Sequence, residues 1–196
     1  VKFIKASEAA FDPRPQMGKI FAEGFYDHGL KYFAKDKTKL ARAMAHIFDL
    51  ESFYLAVEGE AILALIGCTN KKPPPIAMDK AVLVRELGFL AGRVTYRMLN
   101  KHLVNHTYPF ELMPGTGSIE FVATAAQHRG KGAAHDLLAH VMEISPYNEY
   151  VLEVMDVNTP AIRLYEKLGY AEFTRTPAPK FSGFAHFVYM KKKMNR

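Results

Sequence analysis

The sequence predicts an α/β (α+β) fold, and three observations lead there. Short apolar runs rich in branched side chains alternate with longer stretches whose apolar residues recur at helical spacing. One such run, residues 119–124, leads through Gln127-His128-Arg129-Gly130-Lys131-Gly132 into a helical pattern carried by Ala134, Leu137, Leu138 and Val141. The chain has 196 residues, 49% of them hydrophobic and 23% charged, which suits one domain over residues 1–196 with a substantial core.

Residues 1–6 alternate weakly and read as a first strand. Pro13 and Pro15 introduce a helix over 16–28, where Met17, Ile20, Phe21 and Phe25 recur on one side. A second helix is expected over 37–48 with Leu40, Met44 and Ile47 inward. Residues 53–57 and 61–68 flank Glu58-Gly59-Glu60 and predict a hairpin.

Residues 71–117 form a separate stretch before the next strand. Lys71-Lys72-Pro73-Pro74-Pro75 suits neither a helix nor a central strand and predicts an extended connector. Beyond it, Leu83, Leu87, Leu90, Val94 and Met98 line one face of an amphipathic helix, with Arg93, Arg97 and Lys101 on another. Gly88 and Gly92 each cost about 1 kcal/mol in a helix interior relative to Ala. They mark either a break into two helices or a place where another backbone packs closely. The turn Met113-Pro114-Gly115-Thr116-Gly117 closes the stretch.

After the helix that follows Gly132, Pro146-Tyr147-Asn148 breaks the chain and residues 150–156 form the next strand. Thr159 is the expected N-cap, with Pro160 at the first helical position. Ile162, Tyr165 and Leu168 share a face of this helix, and Gly169 closes it. Residues 170–175 and 184–192 read as a final strand pair around a loop over 176–183.

The glycine turn carries the functional signal. A helix N-terminus presents unpaired N–H groups and partial positive charge, so it suits a phosphate anion. Gly130 and Gly132 permit close approach to the backbone, and Arg129 and Lys131 add full charges. Two familiar phosphate motifs fail here. A P-loop needs Lys then Ser or Thr after its last Gly, but Ala133 follows Gly132. The dinucleotide fingerprint needs a small third residue, and His135 stands there. What the stretch resembles is Gln/Arg-x-x-Gly-x-Gly/Ala, the pyrophosphate loop of the GNAT superfamily of N-acetyltransferases. Residues 150–170, YVLEVMDVNTPAIRLYEKLGY, are similar to the family's second motif and follow in the expected order.

The resemblance implies a mixed, mostly antiparallel central sheet flanked by helices. The stretch over 71–117 then becomes a helical insertion between the third and fourth strands, where the family has a short turn. It also implies an acetyl-CoA-dependent N-acetyltransferase that moves an acetyl group to a primary amine of a small molecule or peptide, by direct attack in a ternary complex. Gln127, His128, Arg129, Gly130, Lys131, Gly132 and Ala133 would hold the pyrophosphate of coenzyme A. Backbone groups of Val122, Ala123 and Thr124 would pair with its pantetheine arm, with the Val122 N–H facing the thioester oxygen. Asn158 would contact the arm, and its bland alternative is a turn residue before the helix. Tyr165 would protonate the departing thiolate as general acid, and its bland alternative is core packing. Glu120 is the candidate base, because a regular strand would point it to the same face as Val122. Glu153 is its rival.

Composition narrows the alternatives. The net charge of +6 favours an anionic partner, which a coenzyme A site would satisfy. No interleaved aromatic and basic stretch or zinc-finger spacing argues for nucleic acid. Spacing groups no metal ligands around His102, His106 or His186, so no metal is expected. No apolar run approaches the ~20 residues that span a bilayer, and no signal-peptide pattern appears, so the reading is cytoplasmic without a membrane partner. The single cysteine, Cys68, lies in an apolar run and reads as core. A homodimer through the Gly88 stretch is possible, as is a non-catalytic module that binds coenzyme A or another protein.

Overall fold

The computed structural model describes residues 1–26, 30, 35–70, 75–105, 107–179 and 182–195. In chain order the elements are β1 (Lys2–Lys5), α1 (Arg14–Phe25), α2 (Lys37–Met44), β2 (Phe53–Glu58), β3 (Ala61–Thr69), α3 (Lys80–Leu87), α4 (Phe89–Leu99), β4 (Thr116–Thr124), α5 (Ala133–Ile144), β5 (Glu149–Met155), α6 (Thr159–Lys167), β6 (Ala171–Pro177) and β7 (His186–Lys193). The strands form one seven-stranded sheet in the order β1-β2-β3-β4-β5-β7-β6. Its β4–β5 pair is parallel and the other pairs are antiparallel. This is the mixed, mostly antiparallel sheet flanked by helices that the sequence predicts, with helices inserted between the third and fourth strands.

Strand β3 is buried along all but its first residue, as a central strand covered on both faces must be. Leu65 and Ala123 look toward Met17 and Phe21 of α1 and Leu40 and Met44 of α2. Ala64, Ile66, Ile119 and Leu152 look the other way, toward Leu137, Leu138 and Val141 of α5 and Tyr165 of α6. The period-2 alternation of the strands thus feeds two core layers.

Tertiary pairing moves several element ends. Helix α1 begins at Arg14, so Pro15 lies within its first turn, where a missing N–H costs no hydrogen bond. Helix α2 stops at Met44 because Ile47 and Phe48 are drawn into an extended pairing: Phe48 bridges Ile76, and the Ala77 N–H donates to the Ile47 carbonyl at 2.8 Å. Of the expected connector, residues 71–74 lie outside the described residues, and the Pro75 carbonyl accepts from Asp49. Strand β4 begins at Thr116, inside the expected turn, because Thr116 and Gly117 join the parallel ladder with Glu149 and Tyr150. The cap of α6 is Asn158, not Thr159.

The insertion realises both roles considered for its glycines. Gly88 has φ +89° and bends the chain between α3 and α4. A Cβ on Gly92 would stand 2.5 Å from the Leu83 carbonyl oxygen and from the Val84 Cα, so α4 lies with its backbone against α3. The single amphipathic helix is therefore corrected to a helical hairpin. Leu83 of α3 is buried, whereas Leu90, Val94 and Met98 of α4 are exposed, because the bend separates the two apolar stripes. A π-helical turn, Asn100–Val104, extends α4.

Candidate active site

The site begins with a defect in β4. Pairing of β4 with β5 runs from Thr116–Glu149 to Ile119–Leu152 and stops there. At Phe121 the backbone takes φ +52°, the one positive φ outside glycine among the described residues. The β3–β4 register shifts at the same place, so Phe121 is the extra residue of a β-bulge. Its ring packs 5.6 Å from Phe21 and 6.3 Å from Phe25, contacts that hold this otherwise unfavourable conformation. Beyond the bulge, Ala123 and Thr124 pair with Leu65 and Ala64 of β3, while the edge toward β5 has no strand partner among the described residues.

The bulge also corrects the expected relation of Glu120 to Val122. Phe121 packs in the α1–α2 layer and Val122 in the α5 layer. Glu120 sits beside Gly67 on the Phe121 side: a Cβ on Gly67 would lie 3.2 Å from the Glu120 Cβ and 3.4 Å from the Phe53 ring. One inserted residue therefore puts Glu120 and Val122 on opposite faces.

Strand β4 leads directly into the glycine loop. The Ala125 N–H donates to the Leu63 carbonyl at 2.9 Å, and a 3-10 turn, Ala126–His128, carries Gln127 and His128 outward. The Arg129 Nε–H donates to the Thr124 carbonyl at 3.4 Å. Gly130 and Gly132 take φ +74° and +85°, which an L side chain rarely adopts. Gly132 is the N-cap of α5, and no side chain caps the helix. The Asp136 N–H closes the first turn onto the Gly132 carbonyl at 3.0 Å, so the N–H groups of Ala133, Ala134 and His135 precede any intrahelical bond. Arg129 and Lys131 are exposed and make no ion pair among the described residues.

Tyr165 lies on α6 and is 6% exposed. Burial, then the charge of Glu120, raises its phenol well above the usual range, so it stays protonated. Its hydroxyl makes no hydrogen bond among the described residues. The helix end behind it is locked, because the Tyr170 N–H donates to the Tyr165 carbonyl at 3.0 Å and the Gly169 N–H to the Glu166 carbonyl at 2.9 Å. At the other end the Asn158 Oδ1 accepts from the Ala161 N–H at 3.4 Å, a structural use of Asn158 beside any ligand contact.

The sequence reading missed Tyr108. It comes from the limb of the insertion that returns to the sheet, and its hydroxyl donates to Glu120 Oε1 at 2.9 Å. Its ring stands 5.1 Å from Phe110 and 6.0 Å from Tyr189, and Phe110 packs 5.0 Å from Phe173. Tyr189 contacts Thr176 at 3.3 Å between hydroxyl oxygens, and burial and a hydrogen bond to Glu153 raise its phenol. Both candidate carboxylates thus face a wall of aromatic residues. The available signal was the aromatic pair Tyr108 and Phe110 around Pro109, but nothing local told which strand it would meet.

Cys68 is buried, and burial pushes its thiol up to about 12. The His186 ring and main-chain N–H both lie on Asp156, at 3.3 Å and 2.8 Å. His106 falls outside the described residues. Among the described residues no cluster of three His, Cys, Asp or Glu side chains is placed to hold a metal.

A parallel strand pair that ends at Ile119–Leu152, followed by a glycine loop and a helix start with no side-chain cap, is the arrangement to set beside known proteins. The sequence model of the acetyltransferase (GNAT) family matches residues 15–170, and the chain belongs to that family. Solved structures share the fold at low identity. An N-acetyltransferase of Staphylococcus aureus Mu50 is similar with TM-score 0.65 and 15% identity, over 98% of this chain and 100% of that one. A ribosomal-protein-alanine N-acetyltransferase of Brucella melitensis gives 0.58 and 14%, over 99% and 100%. A Pyrococcus horikoshii OT3 protein gives 0.59 and 19%, over 100% and 99%. No curated protein matches the sequence.

Proposed function

We propose that this chain is an acetyl-CoA-dependent N-acetyltransferase acting on a primary amine of a small molecule or peptide. One observation carries the reading: β4 parts from β5 after Ile119, and the parted edge runs straight into the uncapped N-terminus of α5. When bound, acetyl-CoA supplies an activated acyl group. Gln127, His128, Arg129, Gly130, Lys131, Gly132 and Ala133 hold its pyrophosphate through main-chain N–H groups and the two cations. The free edge of Val122, Ala123 and Thr124 takes the pantetheine arm, and a main-chain donor at Val122 polarises the carbonyl. Asn158, at the start of α6, contacts the arm in this reading.

Tyr165 is the general acid in this reading. Its phenol is protonated at neutral pH, and although burial makes it a weaker acid than an exposed tyrosine, a thiolate expelled into the same buried surroundings is made more basic in the same way and can take the proton. Glu120 draws the proton from the incoming amine, and its hydrogen bond from Tyr108 fixes the carboxylate. The sheet shared by both core layers supports treating residues 1–196 as one domain, and a buried lone thiol suits a reducing cytoplasm.

Calorimetric titration with acetyl-CoA tests the donor site. Micromolar binding is expected, weakened at least about tenfold by Arg129→Glu, which replaces an attractive charge with a repulsive one. Absence of binding by the unmodified protein would remove the assignment and leave the fold.

A further inference from the structure

The outer face of α4 carries two ridges. Leu90, Val94 and Met98 recur every fourth residue and are 76%, 58% and 37% exposed, and Phe89, on the far side of Arg93, is 65% exposed. Arg93, Arg97 and Lys101 recur at the same spacing alongside. Exposed aliphatic residues scattered singly mean little, but a contiguous apolar ridge does. The ridge is held outward by construction. Gly92 lies against the α3 backbone, and Thr95 and Leu99 are buried, so α4 has no freedom to roll its apolar side inward.

The cations beside the ridge differ from those of the neighbouring helices. On the other side of the hairpin, Arg42 and Arg85 both reach Glu86, at 2.9 Å and 3.0 Å. Arg93, Arg97 and Lys101 have no such partner among the described residues. Arg93 instead lies 5.2 Å from the Phe89 ring centroid. Together with Lys80, these cations and Leu90 and Val94 line an open groove of about 580 Å³ in which none of the described lining residues is acidic.

An occupant of this face must be anionic and apolar at once. A second copy of the chain fits poorly, since it would bring like charges together. A single helix face with an apolar ridge flanked by long cations suits a lipid headgroup layer, where the ridge enters the acyl boundary and the basic side chains reach the phosphates. We propose that α4 is a peripheral docking surface for an anionic membrane. It is a surface contact only, because no helix among the described residues is long and apolar enough to cross a bilayer.

Flotation with phosphatidylcholine vesicles, and with vesicles of equal parts phosphatidylcholine and phosphatidylglycerol, tests this. The protein should partition to the anionic vesicles at least about tenfold more than to the neutral ones, and high salt should weaken the partition. Leu90→Asp with Val94→Asp, and separately Arg93→Glu with Arg97→Glu, should each abolish the preference. Circular dichroism of both double variants controls for folding, and Lys192→Glu with Lys193→Glu, at the far basic strand, should retain binding. Loss of binding in that last variant with retention in the α4 variants would assign the contact to the C-terminal lysines and overturn the proposal. So would a wild-type protein that ignores anionic vesicles, or one that binds them equally well without Leu90 and Val94.

Discussion

Burial and the nearby Glu120 charge both disfavour the Tyr165 phenolate, which makes its proton harder to release than that of an exposed tyrosine. Tyr165→Phe should lower kcat by ~10²-fold or more while leaving the acetyl-CoA Kd nearly unchanged, as expected for a general acid. Turnover that survives the substitution would sink Tyr165 in that role. Tyr108→Phe keeps the ring against Phe110 and Tyr189 and removes only the hydrogen bond to Glu120. Its expected effect is a several-fold drop in kcat/KM for the amine, with the acetyl-CoA Kd unmoved. An equal rate in Tyr108→Phe would leave that hydrogen bond a structural fixture.

At the scale of elements, two glycine positions matter for opposite reasons. Gly92 is required by space, because any Cβ there meets the α3 backbone at 2.5 Å. Gly92→Ala should destabilise the fold by about 1–3 kcal/mol in urea titration, the usual penalty of overpacking. Val94→Asp on the exposed ridge of the same helix should stay within about 0.5 kcal/mol. A tolerated Gly92→Ala would mean that α4 can lift off α3. Gly132 is required by conformation, since φ is +85° and the nearest atom to a Cβ would be Asp136 Oδ2 at 3.7 Å. Gly132→Val should therefore weaken acetyl-CoA by distorting the start of α5, an effect that calorimetry would read as a raised Kd.

For the whole molecule, several acids are buried in their neutral forms. Burial raises Tyr108, Tyr165 and Tyr170 above their ordinary value of 10.0 and Cys68 from 9.0 to about 12. The unfolded chain releases these protons near the ordinary values, and the native protein holds them longer. Stability from this source is therefore complete below about pH 9 and falls as pH rises further, because the unfolded state then binds fewer protons. The urea midpoint should be level between about pH 7 and 8.5 and decline steadily above 9. A midpoint unchanged at pH 11 would show that these groups ionise without opening the core.

Local chemistry was enough to read most of the strands and helices, and the glycine loop. Apolar spacing depends on side chains a few residues apart, and the turn at Gly130 and Gly132 on backbone dihedrals that few residues adopt. The family resemblance of residues 118–142 and 150–170 added the sheet's mixed pairing and the candidate residues Val122 to Thr124, Gln127 to Ala133, Asn158 and Tyr165, while Glu120 came from strand alternation. What needed the assembled fold were contacts between distant segments. The early end of α2 depends on Ile76, the early start of β4 on the β5 ladder, and the turned-out face of α4 on Gly92 against α3. The bulge at Phe121 depends on rings from α1, and it reversed the faces of Glu120 and Val122. Tyr108 reaches Glu120 only because the insertion folds back across the sheet. No periodicity encodes such meetings, because they are settled by packing among residues that are far apart in the chain.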